Sequence, residues 1–147
     1  MARCNLDQLQ SYFAAYGWTC RLVESNACVS GWESSYKHFP LRVTVNDTVL
    51  SFNVDLLAVG GSLKGKNLTD LKKYLLLLNH RTQLVRISLN QQKVVVLNLD
   101  ALTEGFAYEH MHQILGIIGY YSDLLYSKIA KKLVTVCRNG SRHVYLN

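Results

Sequence analysis

The chain has 147 residues, 49% of them hydrophobic and 18% charged, which is enough apolar mass to bury a core and too much for a disordered segment. A net charge of +6 draws acidic partners but falls short of the basic footprint of a nucleic-acid-binding domain. No apolar run approaches the roughly 20 residues that cross a bilayer, and MARCNLDQLQ holds neither a signal core nor a cleavage site, so a cytoplasmic protein with no membrane partner is expected.

In chain order, Leu6, Leu9, Phe13 and Tyr16 repeat at helical spacing and Gly17 supplies a stop, which predicts a short first helix. Cys20–Glu24 and Ala27–Val29, separated by Ser25-Asn26, predict a hairpin. Leu41, Val43 and Val45 alternate with Arg42, Thr44 and Asn46, the period of a strand with one apolar face. Asn46-Asp47 then turns the chain into a second strand over Val49–Val54. Gly60–Lys66 reads as a loop, and Asn67 as the cap of a helix whose N-terminus is favoured by Asp70. The apolar stripe Leu68, Leu71, Leu75 and Leu78 is widened by Tyr74, Leu76 and Leu77 beyond what a one-sided surface helix requires. Such a helix is either buried on two sides or meets a partner.

Asn79-His80 ends that helix. Val85–Leu89 and Val94–Leu97, joined by Asn90-Gln91-Gln92, predict another hairpin. Thr103 is expected to open a long helix carrying Phe106, Met111, Ile114, Leu115, Ile118, Tyr121, Leu125 and Ile129, with a last strand over Leu133–Val136. The order is α-β-β-β-β-α-β-β-α. Links this short between strands require antiparallel pairing, so the fold class is α+β, a mostly antiparallel sheet packed by helices on one face. A single proline and no Ser/Gly-rich tract leave no linker, and residues 1–147 read as one domain.

The chemistry-bearing patterns are weak. Gly60-x-x-x-x-Gly65-Lys66 is followed by Asn67 where a phosphate-cradling loop needs Ser or Thr for magnesium, and half-exposed antiparallel strands are the wrong setting for one. Glu109 and His112 share a helix face, half of a carboxylate-bridged metal site, but no second Glu-x-x-His completes it. His110 and His112 point to different sides. No nucleophile motif is present. Cys4, Cys20, Cys28 and Cys137 lack C-x-x-C spacing and read as small buried hydrophobes or free thiols. Trp18 and Trp32 flank the first hairpin and read as cover for the core. No catalytic residue, metal or cofactor is expected.

Leu71–His80, Leu84–Leu89, Val94–Asp100 and Leu102-Thr103 together resemble the YbjN-type family, whose members look like type III secretion chaperones in fold. The resemblance covers residues 40–129. It implies a twisted antiparallel sheet packed by helices, a dimer, and a protein-binding rather than catalytic role. Secretion chaperones are usually acidic, and this chain departs from them in being basic.

The function expected is therefore that of a chaperone-like or regulatory module that binds another protein and forms a homodimer. Tyr74, Leu76 and Leu77 are the candidate contact residues. The alternative is nucleic-acid binding through Lys64, Lys66, Lys72 and Lys73, or through Lys128, Lys131 and Lys132 with Arg138 and Arg142.

Overall fold

A computed structural model describes residues 2–61 and 63–140, with side chains as far as residue 136. Helix α1 (Leu6–Tyr16) begins in a capping box: Gln8 N–H donates to Asn5 Oδ1 at 2.9 Å and Asn5 N–H to Gln8 Oε1 at 3.1 Å. It stops at Gly17, whose φ of 92° lets its N–H reach back to the last carbonyls. Strands β1 (Arg21–Glu24), β2 (Ala27–Glu33), β3 (His38–Val45) and β4 (Val49–Ala58) follow as successive antiparallel neighbours. Helix α2 (Gly65–Arg81) leads to β5 (Arg86–Leu89), β6 (Val94–Leu102) and helix α3 (Tyr108–Gly140). The sheet has six strands in the order β1-β2-β3-β4-β6-β5. The element order and the antiparallel sheet are those expected from the sequence.

One face of that sheet is apolar by strict alternation. Phe39, Leu41 and Val43 of β3, Leu50, Phe52, Val54 and Leu56 of β4, and Val95, Leu97 and Leu99 of β6 are buried. Against them pack Leu9 and Phe13 of α1, Leu71, Leu75 and Leu78 of α2, and Met111, Leu115, Ile118, Leu125 and Ile129 of α3, all in one cluster. Each such leucine or phenylalanine contributes about 1.5–3 kcal/mol on burial. The intervening residues, among them Arg42, Thr44, Ser51, Asn53, Asn98 and Asp100, lie on the opposite, open face.

Three local expectations are corrected. Asn67 does not cap α2, which begins earlier at Gly65 with Lys64 at the cap position and no side-chain cap bond. Buried Leu63 pins the incoming chain, and Gly65 at φ 59° makes the turn that starts the helix at once. Thr103 does not open α3. Its hydroxyl donates to Asp47 O at 2.8 Å, its N–H bonds to Thr48 O and its carbonyl accepts from Cys4 N–H, so it ties three segments together instead. The helix waits until Tyr108, beyond Gly105 at φ 73° and buried Phe106, and His110 Nδ1 accepts from Ala107 N–H at its start. Leu133–Val136 is not a strand but part of α3. Val136 falls seven residues after Ile129 on the same buried stripe, and this tertiary burial outweighs the local β preference of the segment.

Candidate protein-interaction surface

The apolar width of α2 resolves into an inner and an outer side. Leu71, Leu75 and Leu78 are buried, and Leu68 and Tyr74 pack half-buried at their margin. Tyr74 sits beneath Lys132 of α3, whose Nζ lies 5.3 Å from the ring centroid, so these two candidate residues engage each other within the chain. Leu76 and Leu77 face outward with 69% and 42% of their surface uncovered. Exposed Leu84 lies in the link to β5, held at φ 72°. A groove of about 320 Å³ runs between α2 and β5, lined by Leu75, Leu76, Asn79, Ile87 and Leu89.

The outer edge of β5 is closed by a side chain. Asn79 Oδ1 accepts from Ile87 N–H at 2.7 Å, and Asn79 Nδ2 donates to Ile87 O at 2.7 Å. The amide takes the place that a neighbouring strand would occupy at the middle of a four-residue strand. Asn79 belongs to the run on which the family resemblance rests, yet its work could not be read from the chain, because it requires α2 to pack along that edge. The surface at this end of the sheet therefore offers apolar side chains more than free backbone groups.

The open face carries a polar network that sequence reasoning missed, although the alternation of Ser51, Asn53, Arg86, Asn98 and Asp100 with core residues was its only signal. Ser51 Oγ donates to Asp100 Oδ1 at 2.7 Å, Asn98 Nδ2 to Asp100 Oδ1 at 3.0 Å, and Arg86 Nη2 to Asp100 Oδ2 at 2.8 Å. Asn98 Nδ2 also bonds to Asn53 Oδ1, and Arg86 to Asn98 Oδ1. Burial pushes the Asp100 carboxyl up, but the Ser51 and Asn98 hydrogen bonds and the Arg86 guanidinium outweigh it and hold the group below its ordinary value. These residues floor a shallow concavity of about 730 Å³. Its Ser51, Asn53, Arg86, Asn98 and Asp100 side chains hydrogen-bond to one another, which braces β4, β6 and β5.

The remaining candidates take plain places. Asp100 lies opposite Ser51, at the start of β4, whereas the Gly60–Lys66 segment follows its end at Ala58, about 23 Å of strand away at 3.3 Å per residue. Asp100 is thus kept too far from the glycine loop to hold a magnesium ion beside it, and β4 is paired antiparallel on both sides. Among the described residues no three His, Cys, Asp or Glu side chains gather as metal ligands. Lys64, Lys66, Lys72 and Lys73 are exposed on α2 and its approach, and Lys128 and Lys131 on α3. Arg138 has no described side chain, and Arg142 lies outside the described residues. Trp18 stacks on Trp32 at 5.5 Å, and Trp32 meets Phe39 at 5.3 Å, which is the core-covering role expected of them. Cys4 and Cys28 are buried and Cys20 half-buried, all as free thiols, and burial pushes all three up. No described helix is long and apolar enough to cross a membrane.

No family model matches the chain and no curated protein does, so the YbjN-type resemblance stands on the residues quoted for it. Among solved structures, the chain is similar to one in the crystal structure of the ExsC-ExsE complex, with a TM-score of 0.60 at 10% identity over 84% of this chain and 96% of that one. A second likeness is to the heterodimeric ExoU-SpcU complex from the type III secretion system of Pseudomonas aeruginosa, with a TM-score of 0.49 at 15% identity over 87% and 96% of the two chains. The α+β arrangement of a six-stranded antiparallel sheet and three helices is a type III secretion chaperone-like fold.

Proposed function

We propose that the chain is a non-enzymatic, cytoplasmic protein-binding module of the YbjN type, chaperone-like or regulatory, that works as a homodimer on another protein. The observation that carries this reading is the outward pair Leu76 and Leu77 on α2, with Leu76 lining an apolar groove at the sealed β5 edge. Large exposed leucines next to an apolar groove mark an interaction surface, since water leaves such side chains unfavourably hydrated. A two-fold arrangement laying one α2 against another would cover both leucines of each copy without any strand pairing. The fold likeness supports the reading, because the ExsC-ExsE structure is of a complex.

The test is the solution mass of the purified protein together with affinity capture from its native lysate, with and without nuclease. A dimeric mass and a specific protein retained after nuclease and in moderate salt support the proposal. A monomeric mass at every concentration, or nucleic acid as the retained species with all proteins lost on nuclease treatment, overturns it.

A further inference from the structure

Where the turn between β2 and β3 meets the middle of α3, a second groove of about 400 Å³ opens, away from the α2–β5 edge. Tyr36 of the turn and Tyr120 of α3 line it, and 51% and 64% of their surfaces are uncovered. Neither ring is loose: Tyr36 packs against Tyr126 at 5.4 Å and Tyr120 against Tyr121 at 5.2 Å. Lys128 and Lys131 also line the groove, and among the described residues neither stands in an ion pair. Asp123 lies in the same groove, and its Oδ1 is buried with no hydrogen-bond donor.

We infer that this groove docks an acidic, extended segment of the partner protein, an inference that rests on the protein-binding reading above. Two unpaired lysines on a chain of net charge +6 attract carboxylates. Braced tyrosines offer large apolar contact with little side-chain freedom left to lose. Asp123 shares the groove, but its buried Oδ1 is out of reach of a docked chain, so the two lysines and the two tyrosines make the contact. A nucleic acid would meet the same lysines, and the oligothymidylate in the test below separates the two.

The test uses the full chain, a fluorescein-labelled peptide of alternating Glu and Phe, a peptide of alternating Lys and Phe, and an oligothymidylate, with binding followed by fluorescence anisotropy. The acidic peptide is expected to bind, more weakly at high salt, and to lose about tenfold or more in affinity in the exposed-site variant K128E/K131E. Tyr120→Ser is expected to weaken it as well, with the thermal melt of both variants unchanged. Equal affinity for the basic peptide, unchanged affinity in K128E/K131E, no binding at all, or displacement of the acidic peptide by oligothymidylate at lower concentration would each overturn the inference. Solution mass is recorded on the same samples. A dimer that persists while the acidic peptide fails sinks only this inference, and a monomeric chain sinks the reading beneath it.

Discussion

The double substitution L76K/L77K tests the interaction surface most directly. Together the two side chains leave roughly one whole leucine uncovered in each protomer. Full burial of a leucine is worth about 1.5–3 kcal/mol, so a two-fold interface that covers both copies draws about 3–6 kcal/mol from them. Replacing them by lysine removes that term and adds like charges across the interface, weakening the dimer by a factor of about 10² to 10⁴. The folded protomer should tolerate the change, because substitutions at exposed positions usually shift stability by about 0.5 kcal/mol or less. Light scattering over a dilution series reads the mass, and circular dichroism melting reads the fold. The expected result is a monomer with the parent's cooperative melt. A dimer that survives the substitution would refute the assignment of these leucines to the interface. A collapse of the melt would show that α2 is core on both sides, and the single variant Leu77→Lys, at the less exposed site, would then show the larger share of the loss.

Asn79→Ala removes both bonds to Ile87 and leaves a half-buried N–H and carbonyl without partners, which costs about 2–4 kcal/mol in urea unfolding; an unchanged midpoint would mean that water replaces the amide freely. Asp100 titrates below an unfolded carboxylate, so its contribution is present above pH of about 3.9 and is lost as the pH falls through its lower folded value. Asp100→Asn should accordingly flatten the fall in melting temperature on acidification, and parallel profiles for variant and parent would contradict that. Gly31→Ala places a Cβ 2.6 Å from His38 Nε2 and 2.9 Å from the carbonyl oxygen of Phe39. The histidine can move but the backbone cannot, so the β2–β3 pairing should lose about 1–3 kcal/mol; a parent-like melt would show that the strands part without penalty.

The legible parts of this fold are those written in local period. Leu41, Val43 and Val45 announce a strand, Asn46 a turn, and Gly17 a helix stop, because each acts through its own few neighbours; Asn46 Oδ1 indeed accepts from Thr48 and Val49 N–H. Thr103 and Asn67 misled for one reason. Both are good capping residues, but a cap is decided by where the flanking apolar residues can be buried, and Leu63 and Phe106 set those points from a distance. Leu133–Val136 misled because a run of four with three β-branched residues carries no sign of the stripe begun at Met111. The outward placement of Leu76 and Leu77 was open between core and interface in the sequence, since helical spacing gives the width of an apolar face and not what lies against it. The Asn79 clasp and the Tyr36–Tyr120 groove each join residues on different elements, and no local pattern marks either.

If a second copy on α2 leaves the Tyr36–Tyr120 groove uncovered, the two proposed surfaces can be used together. In the order β1-β2-β3-β4-β6-β5, the Tyr36 turn hangs from β2 and β3, while Leu76, Leu77 and the Asn79 clasp lie at β5. Three strand spacings of about 4.8 Å separate β3 from β5 within the sheet. Asn79 strengthens this division. By occupying Ile87 it withholds the middle of the β5 edge from strand addition, so a partner docking there would have to be held by apolar fit. On the proposed reading the groove selects instead by charge, through Lys128 and Lys131. Each symmetric dimer would then present two copies of the groove. A partner carrying acidic segments spaced to reach both would bind far more tightly than either segment alone, because the second contact forms within the complex. Tethering two of the acidic peptides on a linker long enough to bridge the dimer should therefore raise affinity in the parent and not in L76K/L77K, a contrast that only the combination of both surfaces produces.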